Sequence, residues 1–459
     1  MARNYKDYSP EQPSLLPVSP TDWMPEDHRA YQVYEVVQQL DLSLFHSSYS
    51  RDGRGVAAYS PKMMIALLLY SWSAHVYSSR QIERLYQNDI GARFLVAGHA
   101  PDFRSINLFI RRHEEALNHL FVQSIQLCRQ VGMVGLLHVS IDGTKLGANA
   151  SRNQSVSYAK LTEEQTRLSA EIAKLQKRAL AIDEEEDTLY GVDNLGGTLP
   201  AELRTRQQRM ARLKEAKQQL EAEAKQKEEQ RKQLWDELEP SKRPHRKAPD
   251  PANGKPSAKA KKNLVDPQSS MMRSARGQII QGYNAQLAVD SKNQIIVACD
   301  VSNEPLDYGQ LLPMVQQTTR NVEAEPDLIL ADAGYFSAQN LTRLQQLGQR
   351  ALIPPVNGSR LLREPLRKHL SQPQVQRLEH KQRQLYLLCT EQGRKDYALR
   401  AQTVEPVFGQ IKGCPGRHGF TRFLRRGLDA CRQQWRCVCA VHNIVKYLRF
   451  RPTRHQVTQ

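Results

Sequence analysis

The stretch "LLHVSIDGTKLGAN", residues 136–149, places a carboxylate at the end of a run of strand-forming side chains. The apolar and β-branched residues up to Ile141 predict a strand, and Asp142 follows with Gly143 and a nearby lysine behind it. Burying a lone carboxylate costs several kcal/mol unless a cation or hydrogen bonds compensate it. The stretch therefore predicts a core strand whose terminal Asp142 needs either a cation or hydrogen-bond donors as partners.

The composition favours nucleic acid as a partner. The 459 residues include 65 Lys and Arg against 48 Asp and Glu, a formal net charge of +17. A surface with so large a cationic excess usually meets nucleic acid or an anionic membrane. We find no apolar run of about 18 residues, as a membrane span needs, and no signal-peptide core near the N-terminus. The seven cysteines suggest a reducing compartment, so we expect a cytoplasmic protein.

Helical patterns dominate the first part of the sequence. Residues 1–30, rich in Pro and Ser at the start, predict an extended arm, and residues 31–134 predict a helical DNA-binding or dimerisation domain. Asp102 or Ser105 is the expected cap of one helix. Arginines on exposed faces suit a helix-turn-helix-like DNA reader, although a packing domain with solvated arginines is equally compatible. The candidate arginines are Arg80, Arg84, Arg104, Arg111 and Arg112.

A long insertion interrupts the strand pattern. Residues 158–239 predict an antiparallel coiled-coil hairpin that turns at 191–200, and residues 240–263, rich in Pro, Lys and Arg, predict a disordered basic linker. Residues 135–157 and 264–450 together predict a mixed α/β sheet with flanking helices. The seam of the hairpin is expected at Leu161, Leu168, Ile172, Leu175, Ile182, Leu189, Leu203, Met210, Leu213, Leu220, Leu234 and Leu238.

A second carboxylate occupies the same kind of position as Asp142. In "PDLILADAGYFS", residues 326–337, an apolar strand ends on Asp332. Groups at the ends of adjacent strands of an open sheet meet at one place. Two carboxylates that meet there share a proton or a divalent cation, and oxygen ligands favour Mg²⁺ or Mn²⁺ over zinc. Asp307 is a reserve ligand, with a helix cap as its simpler role.

The third carboxylate that we select is Glu405. In "YALRAQTVEPVFGQIKG", residues 397–413, Pro406 is expected in a first helical turn, which would put Thr403 at the cap and Glu405 at the start of the helix. Lys412 lies seven residues on, at roughly the same face. A face with both a carboxylate and a lysine makes sense if Glu405 holds a metal ion and Lys412 holds a substrate phosphate.

Three cysteines and a histidine near the C-terminus admit a zinc site. Cys431, Cys437, Cys439 and His442 lie on a continuous amphipathic helical pattern. Their spacing is not a familiar zinc-finger pattern, and cysteines on such a helix are more often small buried side chains. Burial is therefore the favoured interpretation.

The carboxylate regions resemble those of DDE transposases of bacterial insertion sequences. In that family the second aspartate is followed by any residue, Gly or Ala, any residue, and Tyr or Phe. Asp332, Gly334 and Phe336 fit this pattern as they stand. The resemblance extends over about residues 50–450, apart from the hairpin and the linker.

The region of the third carboxylate is similar to the family's set of Tyr, Arg, Glu and Lys. Tyr397, Arg400, Glu405 and Lys412 look like those residues, and the spacing from Glu to Lys is as expected. One difference is that Arg400 stands five residues before Glu405, not the usual four. We expect this extra residue in a loop that leads into the helix.

The resemblance implies a fold and a reaction. The fold would be an RNase H-like mixed sheet with flanking helices, preceded by an all-helical domain and interrupted by the coiled-coil hairpin. Asp142, Asp332 and Glu405 would hold two Mg²⁺ or Mn²⁺ ions for phosphoryl transfer on DNA. The substrates would be double-stranded terminal inverted repeats and target DNA, cut and joined by a homodimer in a synaptic complex. Candidate DNA contacts are Tyr397, Arg400, Lys412, Arg104, Arg111 and Arg112.

Two other functions remain open at this point. One is an RNase H-like DNA nuclease that performs no strand transfer. The other is a catalytically inactive DNA-binding protein that works through its basic charge and helical domain. Short inverted repeats that flank the coding region would distinguish a transposase from a nuclease. The hairpin is expected to contact a partner subunit or the end of the element.

Overall fold

The computed structural model describes residues 19–49, 57–190, 201–237, 248–274, 277–355, 370, 374–375, 378–413 and 419–450. Several predictions from sequence lie outside these residues: the arm over 1–18, the hairpin turn at 191–200, the end of the hairpin at 238–239 and the linker over 240–247. The same holds for Leu238 and for the side chains of Ile182, Leu189, Leu203 and Leu234.

Eight helices precede the first strand in the part of the chain that the structure describes. They are α1 (Pro20–Trp23), α2 (Arg29–Gln39), α3 (Ser43–His46), α4 (Pro61–Ser73), α5 (Ser79–Asn88), α6 (Ile90–Val96), α7 (Phe103–Arg112) and α8 (Glu114–Gln130). Asp102, not Ser105, caps α7, because Asp102 Oδ1 accepts from the Ser105 backbone N–H at 2.7 Å. None of the described helices is both long and apolar enough to span a lipid bilayer.

The extended arm predicted for residues 1–30 is wrong from residue 19 onward. Ser19 caps α1 through a bond from the Thr21 backbone N–H, and Pro20 occupies the first helical turn. Ser followed by Pro is a helix-start signal, which the overall composition of the segment conceals. Met24 is buried in the core of the helical region and holds this end of the chain in place.

The central sheet has six strands and a mixed order. They are β1 (His138–Gly147), β4 (Ser270–Arg273), β5 (Ile279–Asp290), β6 (Ile296–Ser302), β7 (Leu328–Ala331) and β8 (Ala351–Leu352). The order is β4–β5–β1–β7–β8, and β6 also pairs with β5. β5 is antiparallel to β1, β4 and β6, whereas β1, β7 and β8 run parallel. This arrangement agrees with the RNase H-like sheet expected from the sequence.

Helices cover both faces of this sheet. They are α11 (Leu311–Val322), α12 (Ala338–Gln346), α13 (His380–Leu388), α14 (Glu391–Lys412) and α15 (Leu428–Phe450). Val139 and Ile141 of β1 pack towards α11 on one face, whereas Leu146 packs with α14 and α15 on the other. This alternation follows from the two-residue period of a strand. It sends Asp142, an even-numbered position, to the face that α14 covers.

α15 joins the helical region to the sheet. Its residues Val441 and Ile444 belong to the helical core, whereas Cys431, Cys439 and Trp435 pack on the sheet. The cysteines at 431, 437 and 439 are buried on this helix. Their burial agrees with the interpretation favoured from the sequence.

The insertion consists of α9 (Tyr158–Tyr190) and α10 (Ala201–Glu237). The two helices are antiparallel, since Glu164 pairs with Arg209 at 3.1 Å and Glu171 pairs with Arg206 at 3.3 Å. Their buried seam is formed by Leu161, Leu168, Met210, Leu213, Ala216 and Leu220. Two short strands, β2 (Ser155–Ser157) and β3 (Lys261–Asn263), pair where the insertion leaves and rejoins the core.

The disordered linker predicted for 240–263 is wrong for its described part, 248–263. β3 ends this segment, and Lys262 and Asn263 are buried. Asn263 Nδ2 donates to the Ser151 carbonyl at 2.8 Å, and Lys262 forms an ion pair with Glu223. Polar side chains that find specific partners can order a segment whose composition lacks apolar residues, because each buried polar group is satisfied.

Candidate functional site

Strand register brings the two predicted aspartates together. β1 and β7 are parallel, and Ile141 pairs with Ala331. Asp142 follows Ile141 and Asp332 follows Ala331, so the two aspartates lie side by side at the same level of the sheet. β7 stops at Ala331, whereas β1 continues along β5 to Gly147. The prediction that the first strand ends at Asp142 is therefore wrong, because β5 supplies backbone partners beyond the point where β7 ends.

Glu405 lies inside a long helix and not at its start. α14 begins after Thr390, whose Oγ1 accepts from the Gly393 backbone N–H, and runs through Pro406. A proline within a helix frees the carbonyl four residues earlier, and that carbonyl, of Gln402, accepts from Gln294 Nε2 at 3.0 Å. The predicted start at Thr403 and the predicted loop at Arg400 are thus both wrong.

Arg400 links the first and third carboxylates. Its Nη1 donates to Asp142 Oδ2 at 3.0 Å, and its Nη2 donates to Glu405 Oε1 at a longer 3.4 Å. The side chains of Arg400 and Asp142 are 15% and 19% exposed, whereas that of Glu405 is 58% exposed. The arginine is therefore held mainly by Asp142, and Glu405 stays open to a further ligand.

The environment of the site disfavours the ionised form of Asp142. Burial raises the pKa of Asp142 to about 6, with Arg400 opposing the rise and the nearby charge of Asp332 adding to it. Burial tends to lower the pKa of Arg400, but the charges around it, Asp142 foremost, outweigh burial and raise that pKa. A single guanidinium thus compensates a partly desolvated cluster of carboxylates.

Lys412 and Tyr397 flank this cluster on α14. Lys412 donates from Nζ to Thr144 Oγ1, two residues beyond Asp142 on β1, and lies 5.5 Å from the Phe408 ring centroid. Tyr397 is buried among leucines of β7, β8 and α13, with the Arg400 guanidinium 6.0 Å from its ring centroid. The ring therefore supports Arg400 from beneath, and its contact with DNA stays a prediction.

A buried polar network lies on the other face of β1, next to Gly143. Asp307 Oδ1 accepts from Lys145 Nζ at 3.0 Å, from Asn284 Nδ2 at 2.6 Å and from Gln286 Nε2 at 2.9 Å. Asp307 therefore neither caps a helix with its side chain nor lies free to bind a ligand with this oxygen. A Cβ added at Gly143 would lie 2.4 Å from Gln286 Nε2. Only glycine fits here without displacing the network.

This network was not predicted from the sequence. Asn284 and Gln286 are fully buried in β5 and point to the face opposite Tyr283, Ala285 and Leu287. Alternating polar residues in a strand normally indicate a solvated face. Asn284 and Gln286 therefore do not predict a buried network on their own. One feature of the sequence does point to the network. Asn284 and Gln286 interrupt a largely apolar strand, which is unusual for a strand that is buried on both faces.

The donor set suits a hard divalent cation. Carboxylate oxygens are the preferred ligands of Mg²⁺ and Mn²⁺, and the pKa of Asp142 is raised mainly by burial, with the charge of Asp332 adding to the rise. Among the residues that the structure describes, no three His, Cys, Asp or Glu side chains form a ready-made metal cluster. Arg400 instead contacts the oxygens of Asp142 and Glu405 that such an ion would use.

The predicted DNA-contacting arginines of the helical region differ in their surroundings. Arg104 is exposed beside Phe103, at 5.7 Å from the ring centroid, and Arg111 is exposed on the same helix, α7. Arg112 donates to the Ser48 carbonyl and lies 4.5 Å from the Tyr49 ring centroid. Arg112 thus holds the segment after α3 in place, while Arg104 and Arg111 face outward.

Two family models match the chain. One, described as Transposase DDE domain, matches residues 253–444 and includes Asp332 and Glu405. The other, described as Transposase domain (DUF772), matches residues 18–112, within the helical region. No curated protein and no solved structure matches the chain. The two matches follow the two parts of the fold, a helical region and an RNase H-like sheet with neighbouring aspartates, and the chain belongs to the DDE transposases.

Proposed function

We propose that this transposase belongs to an insertion sequence, binds its terminal inverted repeats, cleaves a DNA strand at each end and joins the freed end to target DNA. The observation that carries the proposal is the shared level of Asp142 and Asp332, together with the Arg400 bridge to Glu405. This arrangement supports a site that draws one carboxylate from β1, one from the residue after β7 and one from α14. The net charge of +17 supports a polyanionic substrate.

Asp142, Asp332 and Glu405 would hold two Mg²⁺ or Mn²⁺ ions. When bound, such ions activate the attacking oxygen and stabilise the leaving oxygen of a phosphodiester. The exposed carboxylate of Glu405 provides an approach from solvent, whereas the partly buried Asp142 fixes one side of the site. Lys412 lies next to β1, where its ammonium group would hold a substrate phosphate.

Arg400 would change partners when the site is loaded. In the structure its guanidinium neutralises Asp142. A divalent ion at this carboxylate supplies the same compensation, which releases the guanidinium to contact a phosphate oxygen of the DNA. Tyr397 beneath it limits how far the side chain can swing.

Strand transfer requires no residue to act as a covalent intermediate. In the cleavage step a water oxygen bonds to phosphorus and the 3′-oxygen of the element leaves as a hydroxyl. In the joining step that 3′-hydroxyl forms a new bond to a target phosphorus, and the 3′-oxygen of the target strand leaves. The protein positions the reacting groups and compensates their charge, which suffices for phosphoryl transfer.

The test is strand cleavage and transfer on duplexes that carry the ends of the element. Asp142→Asn, Asp332→Asn and Glu405→Gln should each abolish both reactions while binding to the duplex is retained. Glu391→Gln on the same helix and Asp429→Asn on α15 change exposed carboxylates and serve as matched controls. Normal excision by any one of the three site variants would remove that residue from the catalytic set.

The alternatives give different results in the same assay. Cleavage without joining would make the protein a nuclease, and binding without cleavage at any Mg²⁺ concentration would make it a DNA-binding protein only. We further propose that a homodimer pairs the two ends and that the hairpin of α9 and α10 contacts the partner subunit or the end of the element. Its projection from the core on two paired strands supports this role.

A further inference from the structure

A groove between the helical region and α15 is lined by basic and amide side chains. It has a volume of about 670 Å³ and lies between the start of α5, the exposed side of α7 and the loop that leads into α15. Asn149, two residues beyond the end of β1, also lines it. The groove is therefore separate from the carboxylate site but is connected to it through a single strand.

The charge of this groove has one sign. Its described lining residues include Arg80, Arg111, Arg425 and Arg426 and no Asp or Glu. Within the described part of the chain Arg80 and Arg111 form no ion pair with a carboxylate, and the Arg80 guanidinium rests 5.1 Å from the Phe103 ring centroid. Since no acidic side chain of the lining compensates these arginines, the groove attracts anions.

Backbone groups add to this attraction. α5 begins at Ser79, and the Ser78 side chain forms no capping hydrogen bond, so no side-chain cap occupies the first N–H groups of the helix. Ser78 and Ser79 both line the groove. The N-terminus of a helix is a favourable position for a phosphate, because its N–H groups and the helix dipole face the anion.

Two buried polar atoms of the lining residues lack partners. Gln433 is 2% exposed, and although its Nε2 donates to the Ile110 carbonyl, its Oε1 has no hydrogen-bond partner. Arg425 forms an ion pair with Glu114 through Nη2, but its Nη1 has no hydrogen-bond partner. Buried polar groups without partners are rare in folded proteins. The unpartnered N–H of Arg425 is a donor that a phosphate oxygen can satisfy, whereas Gln433 Oε1 is an acceptor and needs a donor, such as a bridging water, between it and an anion.

We propose that this groove binds the phosphodiester backbone of duplex DNA, a step that rests on the proposed function. Arg80, Arg111 and Arg426 contact phosphates together with the start of α5, and Arg425 and Gln433 form the floor. Asn149 lies seven residues from Asp142, a distance of at most roughly 23 Å along an extended chain. At 3.4 Å per phosphate of one strand, the edge of the groove at Asn149 lies within about seven phosphate positions of the carboxylate site.

The experiment measures the salt dependence of binding to a duplex of about 30 base pairs and arbitrary sequence, because phosphate contacts are independent of sequence. The groove variant combines Arg80→Gln, Arg111→Gln and Arg426→Gln. The control variant combines Arg320→Gln, Arg343→Gln and Arg350→Gln, which remove the same charge from exposed positions outside the groove. Thermal unfolding of both variants checks that the fold is retained.

The slope of log Kd against log salt concentration should fall by about three for the groove variant, one for each lost phosphate contact, and stay near the wild-type value for the control. Equal slopes for the two variants would overturn the groove. If the slopes differ as expected but the wild-type chain does not excise the element, the groove stands and the transposase reaction fails. If excision is normal and the slopes are equal, only the groove fails.

Discussion

Arg400 donates to Asp142 at 3.0 Å although 258 residues separate them in the chain. This contact gives the first carboxylate of the site a cationic partner before any substrate binds. A metal ion at Asp142 must therefore either share the carboxylate with the guanidinium or replace it. The competition between the two cations has measurable consequences.

Arg400→Gln should tighten Mn²⁺ binding while it slows strand cleavage. Removal of the guanidinium takes away a like charge from the metal position, for which we expect an affinity gain of about tenfold. Cleavage should fall because a phosphate contact is lost. Calorimetric titration with Mn²⁺ measures the first effect, and Lys395→Gln, exposed on the same helix, is the control. Weaker or unchanged Mn²⁺ binding would show that Arg400 does not compete with the ion.

Asp142→Asn should stabilise the metal-free protein at neutral pH. The pKa of Asp142 is raised from 3.8 to about 6 in the folded chain, so between these values the folded state holds a proton that the unfolded state releases. The free energy of unfolding therefore falls as the pH rises from about 4 to about 6, by up to about 3 kcal/mol. The asparagine variant lacks this loss and should be the more stable protein above about pH 6.

Urea unfolding in the presence of a chelator measures this difference at about pH 4.5 and about pH 7.5. Asp429→Asn, an exposed aspartate on α15, provides the control. If the wild type and Asp142→Asn lose stability in parallel between these two pH values, burial of the Asp142 charge is not the cause. Addition of Mn²⁺ should then stabilise the wild type more than the variant.

Gly143→Ala should destabilise the protein and slow cleavage. The new Cβ would lie 2.4 Å from Gln286 Nε2 and 2.9 Å from Asp307 Oδ1, so the buried network or β1 must shift, for which we expect about 1–3 kcal/mol. Because Asp142 precedes this residue, the shift reaches the carboxylate that we propose to be catalytic. Gly409→Ala on α14 has no atom within 4 Å of its new Cβ and should be neutral or slightly stabilising. Equal stabilities of the two variants would contradict the packing argument.

Gln294 and Pro406 should be energetically coupled. Gln294→Asn shortens the side chain that satisfies the Gln402 carbonyl, whereas Pro406→Ala restores a helical N–H to the same carbonyl. The loss from Gln294→Asn should therefore be smaller by about 1 kcal/mol when Pro406→Ala is present. A double-mutant cycle of urea unfolding measures this energy. Additive effects would mean that the hydrogen bond does not support the helix at Pro406.

A shortened hairpin should leave strand cleavage intact but reduce the pairing of two ends. Glu171 and Arg206 face each other at 3.3 Å, so residues 172–205 can be replaced by a loop of about four residues. The core should keep its thermal stability, because the seam nearer β2 and β3 remains. Gel mobility of complexes that contain two labelled ends reports pairing. Normal pairing by the shortened chain would exclude a role for the distal hairpin.

The parts of the fold that depend on local pattern could be predicted from the sequence. The strand before Asp332 follows from its apolar run and the antiparallel hairpin follows from its seven-residue periodicity, and the structure contains both elements. The pairing of Asp142 with Asp332 followed from their positions after two apolar strands, and the parallel register of β1 and β7 places the two residues at one level.

The parts that depend on distant partners could not be predicted. The helix continues through Pro406 because Gln294, more than a hundred residues earlier, satisfies the freed carbonyl. The segment before β5 is ordered because Asn263 bonds to Ser151 across the whole insertion. Arg400 lies inside the helix and not in a loop because Thr390, ten residues earlier, caps α14, so the helix begins well before the predicted start at Thr403.

The paired strands β2 and β3 also bear on how the chain folds. About 130 residues separate β1 from β5 along the chain, and closing so long a loop has an entropic cost that grows with its length. If α9 and α10 pair first through their local contacts, β2 meets β3 and only about 20 residues remain to be closed, which lowers that cost by about 1.5 kcal/mol. The insertion then shortens the search that joins the strand of Asp142 to its antiparallel neighbour.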